Sequence, residues 1–237
     1  MQWICHAITD AGKVRKLNED SIFYDESRQL WMVADGMGGH HRGDLASQTI
    51  VKYVQSYLTA RHGGISLHRL VDLLQKANTE LVEKAQQDNT GIIASTCAIL
   101  SRRKHSIVCS WVGDSRIYRL RHNKLTQLTR DHSYESLIMD MRNSGEDVED
   151  IMVDTQALTR GVGAEAQLQV EHCQFIPQTE DRYLLCTDGL YKEVPNAEIE
   201  RRYIATQSDK ELLTELHEAY LEGGARDNLG LILITTS

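Results

Sequence analysis

The chain is built from short apolar runs of strand length. "WICHAIT", "QLWMVA", "STCAILS", "SIVCSWVG", "RIYRLR", "LTQLT", "LQVEHCQF", "RYLLCT" and "LGLILITT" recur along it, rich in β-branched, aromatic or Cys residues and mostly bounded by Gly, Asp, Asn or Ser. "RLRHNKLTQL" reads as a hairpin turning at His122-Asn123-Lys124. Helical patterns come in blocks. Leu45, Ile50, Val54, Tyr57 and Leu58 form one apolar stripe, and Leu70, Leu73, Leu74, Ala77, Leu81 and Ala85 form a second. A third helical region spans roughly 196–221, broken near Ser208, where "SDKELL" reads as a new start. Strands and helices that do not alternate argue against a doubly wound parallel sheet. They favour an α+β domain, sheet packed on sheet with helices outside.

At 237 residues the chain supports one independent core, and no repeat, low-complexity tract or Pro/Ser/Gly linker divides it. One domain over 1–237 is therefore expected, with 133–157, ending in the acidic "GEDVEDIMVD", as its least regular and most loop-like part. Lys plus Arg number 26 against 34 Asp plus Glu, so no global basic field draws nucleic acid or anionic lipid. Five cysteines, an odd number without a C-x-x-C pair, fit reduced thiols rather than a disulfide scaffold or zinc site. The N-terminus lacks the pattern of a secretory leader and no run approaches a bilayer span, so a soluble cytoplasmic protein is expected.

One stretch does not fit an ordinary turn. "LWMVADGMGGHHRGDLAS" runs a buried-looking strand into Asp35, then into Gly36, Met37, Gly38, Gly39 and two histidines before a helix begins. Acids stand at the ends of other strand-like runs as well: Asp114 after "SIVCSWVG", Asp188 after "RYLLCT", Asp227 before "NLGLILITT", and Glu19 and Asp20 before "SIFYD". Each alone reads as a turn or helix cap. Together, strand ends gathered by one sandwich would bring like charges into contact, which is costly unless a cation neutralises them. Carboxylates with a free backbone carbonyl suit hard divalent ions, Mg²⁺ or Mn²⁺.

In order, "GKVRKLNEDS", "VADGMGGH", "WVGDSRIYRLR", "LTRDHS", "LLCTDGLYKEV" and "ARDNLGLILI" resemble the motifs of the metal-dependent protein serine/threonine phosphatases, the PP2C or PPM family, in their bacterial form. The resemblance runs from about Gly12 to about Ile234. It implies a four-layer α-β-β-α sandwich, two antiparallel sheets face to face, with a metal centre at one end. It implies that Glu19, Asp35, Gly36, Asp188 and Asp227 hold two Mn²⁺ or Mg²⁺ ions, that Asp114 with Asp188 binds a third, weaker ion, and that Arg15 holds the substrate phosphate.

The implied reaction is hydrolysis of phosphoserine and phosphothreonine on proteins, by direct attack of a hydroxide bridging ions that Asp35 shares. Arg15 would fork two phosphate oxygens. His40, in the bacterial "DGMGGH" pattern, is the candidate general acid, with His41 or a metal-bound water as alternatives. Implied partners are phosphoprotein substrates and a bacterial Ser/Thr kinase that the enzyme opposes, with neither nucleic acid nor membrane and a monomeric chain. Three departures stand out. Ala94 precedes the hydroxyl pair Ser95-Thr96 where the family has Gly, Gly230 replaces a hydroxyl residue after the Asp227-Asn228 pair, and 133–155 carries no recognisable flap signature. The alternatives are a catalytically weak regulatory or binding module on the same fold and a two-metal nuclease. The latter lacks a basic stripe for a phosphate backbone.

Overall fold

The computed structural model describes residues 3–38, 42–61, 63–89, 91–145, 154–155 and 157–236. Two antiparallel sheets form its centre. One has the order β1 (Trp3–Asp10), β11 (Leu229–Thr236), β10 (Arg182–Cys186), β7 (Arg116–Arg121), β8 (Lys124–Gln127). The other runs β2 (Asp20–Asp25), β3 (Leu30–Gly38), β5 (Cys97–Arg103), β6 (Ser106–Val112), β9 (Glu171–Phe175), with β4 (Ile93–Ser95) pairing the end of β3.

Strand alternation sends successive side chains into different layers. From β3, Trp31 and Val33 enter the seam between the sheets, where they meet Tyr183, Leu185, Ile232 and Ile234 of the facing sheet. Leu30 and Met32 point the other way, under α1 (Gly43–Thr59) and α2 (Leu67–Asp88), against Ile50, Val54, Leu70 and Leu74. On the opposite sheet, Leu184, Leu231 and Leu233 pack outward under α4 (Asp188–Glu193), α5 (Asn196–Ala205) and α6 (Asp209–Gly223). A strand buried on both faces reads as a continuous apolar run, which is how these strands appear in the sequence. The result is the expected α-β-β-α sandwich. Truncating the fully buried Trp31 to Ala at its centre would cost roughly 3–5 kcal/mol.

Local expectations hold with small adjustments. The break near Ser208 is real: its hydroxyl accepts from Glu211 N at 3.3 Å and opens α6. The β7–β8 hairpin turns on two residues only, His122 and Asn123, both at positive φ (52° and 56°), and Lys124 already pairs with Arg121. β3 also runs three residues past Asp35, because β4 supplies partners for Gly36, Met37 and Gly38.

The reading of 133–157 as loop-like is corrected over residues 134–144. Residues Tyr134–Ser144 form helix α3, opened by Ser133, whose hydroxyl accepts from Ser136 N, and closed by Gly145 at φ 84°. Only Ile138 of this helix is buried, so it carries no apolar stripe to betray it. Residues 146–153 and 156 lie outside the described residues, as do His40 and His41. All five cysteines are free thiols, Cys97, Cys109 and Cys186 buried and Cys5 and Cys173 partly exposed. Among the described residues no helix is long and apolar enough to cross a membrane.

Candidate metal centre

At one end of the sandwich the inward-facing series of β2 and β3 pass from apolar residues to acids, and the segments flanking β6, β10 and β11 bring three more. Asp35 continues the series Trp31, Val33 on β3, and its register partner across the β2–β3 pair is Asp20. Asp188 directly follows β10 and Thr187, Asp227 directly precedes Asn228 and β11, and Asp114 lies in the turn after β6. These ends open into one cleft of about 350 Å³, lined by Arg15, Glu19, Asp35, Gly36, Asp114, Asp188 and Asp227, together with Met37, Gly38, Thr96, Lys192 and Asn228. Every site residue named from the sequence that the structure describes reaches this cleft.

Two close backbone approaches bring the walls together. A Cβ on Gly36 would lie 1.9 Å from the Gly43 carbonyl oxygen, so the end of β3 touches the first turn of α1 only because both residues are glycine. A Cβ on Gly189 would lie 1.9 Å from Asn228 O, so the loop carrying Asp188 abuts the loop carrying Asp227 for the same reason. The Gly36–Gly43 approach is thus first a packing device. It lets Gly43 N donate to Glu19 Oε1 at 3.0 Å across the cleft wall.

Hydrogen bonds then fix each acid. Asp35 N donates to Thr96 Oγ1 at 3.0 Å, and Thr96 N donates to Asp35 O at 2.8 Å. The Thr96 hydroxyl also pairs with Ser115 Oγ at 2.6 Å, tying Asp35 to the Asp114 turn. Asn228 acts as a clamp: its Oδ1 accepts from Glu19 N at 2.8 Å, and its Nδ2 donates to Ala11 O and Leu17 O at 2.8 and 2.9 Å. That grip closes the loop from which Arg15 extends to Asp227 Oδ2 at 2.9 Å. Tyr191 holds Asp114, its hydroxyl donating to Oδ2 at 3.0 Å.

The electrostatics are those of too many acids in one place. Burial, then the charges of Asp20, Asp188 and Asp114, push the Asp35 carboxyl well above the usual carboxylate range. Burial is also the first cause for Asp20, pushed up to about 8 against the help of the Thr187 hydroxyl, and for Asp114, pushed up to about 6. Two unit charges 4 Å apart repel by about 4 kcal/mol at an effective dielectric of 20, more than a typical hydrogen bond returns.

Among the described residues no three His, Cys, Asp or Glu side chains already stand arranged around an ion position. The acids are turned to the chain's own donors instead: Asp188 to Lys192, Asp227 to Arg15, Asp20 to Thr187, Glu19 to Gly43 N. The fit to divalent ions rests on other grounds. Asp188 is only 8% exposed, yet its Oδ1 is buried without a hydrogen-bond partner. It faces an all-oxygen donor set whose raised carboxyls would ionise on meeting a hard cation.

Several contributors were not singled out from the sequence. Asp20 stands at the strand lip in the sequence and is not among the ligands that the resemblance implies. It is as buried as Asp188 and within hydrogen-bonding reach of Asp35. Asp20 shares the face of Ile22, which packs into the seam, but only the register with β3 sets it opposite Asp35. Asn228, Thr96 and Lys192 had weaker signals, because a clamp, a brace and a cleft lysine look like ordinary surface chemistry in one dimension. Gly230 loses a side-chain hydroxyl, but its N donates at 2.8 Å to Thr187 Oγ1, which in turn donates to Asp20 Oδ2 at 2.7 Å. A hydroxyl is therefore present at that point from the neighbouring strand end.

Known proteins resemble this chain in sequence and in fold. The sequence matches protein phosphatase 2C over residues 12–230. It is 31% identical over 242 residues to the serine/threonine phosphatase stp of Listeria innocua, covering 95% of this chain and 93% of that protein. The fold superposes with a TM-score of 0.87 and 29% identity on PppA, described as a key regulatory component of T6SS in Pseudomonas aeruginosa, over 100% of this chain and 99% of that one. The catalytic domain of serine threonine protein phosphatase PstP, solved in complex with two manganese ions, gives a TM-score of 0.84 at 26% identity, over 98% and 97% of the two chains. The six ordered motifs, the sandwich and the acid-lined cleft at its end agree with these matches: the chain belongs to the protein phosphatase 2C family.

Proposed function

We propose that this chain is a metal-dependent protein serine/threonine phosphatase, and that the cleft at the end of the sandwich is its active site. The observation that carries this reading is the meeting of Asp35, Asp114, Asp188 and Asp227 in one cleft with the Arg15 guanidinium, with Asp20 buried beside Asp35. Glu19, Asp35, Gly36, Asp188 and Asp227 are the residues proposed to hold two ions, Mn²⁺ or Mg²⁺. When bound, such ions offset the carboxylate repulsion, neutralise phosphoryl charge and ready a water for attack on phosphorus.

The chain's own residues supply the rest. Arg15 is exposed at the cleft and held on one side by Asp227, leaving its planar fork free to take two phosphate oxygens. Holding the phosphoryl group this way fixes phosphorus relative to the acids and removes orientational freedom before reaction. Asp20 and Thr187 brace Asp35 from within the seam. His40 is proposed as the group that protonates the leaving alkoxide, on its place in "DGMGGH". No covalent enzyme intermediate is required.

Substrates are phosphorylated proteins, and the natural counterpart is a Ser/Thr protein kinase in the same bacterial cytoplasm. We further propose that 1–237 works as one catalytic domain and as a monomer, with 133–157 forming a flap beside the cleft. Ala157 and Leu158, which line the cleft, support that placement. Purified protein with a phosphothreonine peptide should release phosphate in Mn²⁺ and stop on addition of EDTA. Absence of metal-stimulated release from any phosphoester would overturn the reading.

A further inference from the structure

Lys192 stands one helical turn beyond Asp188 on α4, and its ammonium is bonded to Asp188 Oδ2. An Asp–Lys pair at this spacing is common on solvated helices. Three observations set this one apart. The lysine lines the cleft rather than the outer surface. Its charge bears on Asp114 and Asp35 as well as Asp188, and among the groups that act on Asp114 it is the cation. Its partner is a nearly buried carboxylate whose second oxygen has no hydrogen-bond partner.

The surroundings hold this geometry. Tyr191, the preceding residue, is pinned to Asp114 through both its carbonyl and its carboxylate, at 3.1 and 3.0 Å. The Arg116 guanidinium lies 3.5 Å from the Tyr191 ring centroid and is itself forked onto Asp131. Beside the fixed Tyr191, Lys192 bonds Asp188 in the cleft that Asp114 also lines.

We propose that the Lys192 ammonium is a built-in cation for the Asp114–Asp188 pair, so that this chain binds two divalent ions and leaves no place for a third. The inference rests on the metal-centre reading above and refines it. An ammonium brings one charge and three donors on a flexible stem, enough to offset two neighbouring carboxylates and to exclude a divalent ion by occupation and repulsion. Because Asp188 is shared with the main cluster, Lys192 also orients the Asp188 carboxylate, leaving Oδ1 for that cluster.

Calorimetric titration of the metal-free chain with Mn²⁺ tests this, with circular dichroism to verify folding. The parent should take up two ions. Lys192→Met, of similar length without the charge, should gain a third, with affinity at that site at least tenfold above the parent's, and Lys192→Arg should stay at two. Three ions in the parent, or two in both the parent and Lys192→Met, would overturn the assignment of Lys192 while leaving the metal centre intact. Uptake of no ion by any of the proteins would overturn both.

Discussion

Asp20 and Asp35 are register partners across the β2–β3 pair, so two carboxylates stand opposite one another on one face of an antiparallel ladder. Like charges in that position destabilise a sheet, and here both lie where a seam filled with Trp and Ile side chains meets the cleft. The fold tolerates the pair because Thr187 donates to Asp20 and because the Asp35 and Asp20 carboxyls hold their protons far above the usual carboxylate range. The site thus stores repulsion that a divalent cation relieves.

That storage makes metal-free stability depend on pH. A carboxyl whose folded-state pKa is raised above its unfolded value stabilises the fold fully below the unfolded value, near 4, and loses that contribution as pH rises through the folded value. With Asp114 at about 6 and Asp20 at about 8, the chain in EDTA should become progressively less stable from pH 5 to pH 9. The expected fall in melting temperature is several degrees, roughly 2–4 °C per kcal/mol for a chain of this size. Saturating Mn²⁺ should flatten the profile, and a profile identical with and without metal would contradict the account.

Asp35→Asn should separate function from stability. Removing a carboxyl that the folded cluster keeps protonated only at a cost should raise the melting temperature of the metal-free protein at pH 8 while turnover on a phosphothreonine peptide falls by at least 10²-fold. Thermal melts and initial rates on the same preparations check this. A variant both less stable and fully active would show that the repulsion is not where it is placed here.

Gly36→Ala should behave as an overpacking substitution. A Cβ 1.9 Å from Gly43 O forces the end of β3 away from α1, at a cost of about 1–3 kcal/mol or more. The same movement breaks the Gly43 N to Glu19 Oε1 bond, so metal affinity should fall with stability. Denaturant unfolding and Mn²⁺ titration together test whether the two losses move in step.

Arg15→Ala should spare the fold and damage the reaction. Its ion pair with Asp227 is half-exposed on the arginine side, so its loss should cost under about 1 kcal/mol. Loss of phosphate fixation should lower kcat/KM by roughly 10–10³-fold, and Arg15→Lys should recover only part of it because an ammonium lacks the fork. Full activity in Arg15→Ala would remove the phosphate-binding role.

Much of this architecture was legible in one dimension because burial on both faces leaves a plain mark. Runs such as "RYLLCT" and "LGLILITT" could only be interior strands, and the acids at their ends could be listed before their meeting place was known. The helix at Tyr134–Ser144 was hidden for the opposite reason: with one buried residue it has no stripe, and only its Ser133 and Gly145 caps mark it. Asp20 does not stand out beside Glu19 in the sequence, because which face of β2 meets Asp35 depends on the register with β3. The Asn228 clamp joins segments 209 residues apart, which spacing does not encode, whereas the Asp188–Lys192 pair has ordinary helical spacing and only the cleft around it sets it apart.

The most direct measurement is anomalous diffraction from crystals of the parent protein grown with Mn²⁺. The account predicts two manganese peaks within the cleft bounded by Glu19, Asp35, Asp188 and Asp227. Crystals of protein shown to be active in Mn²⁺ that place no manganese among these residues would contradict it.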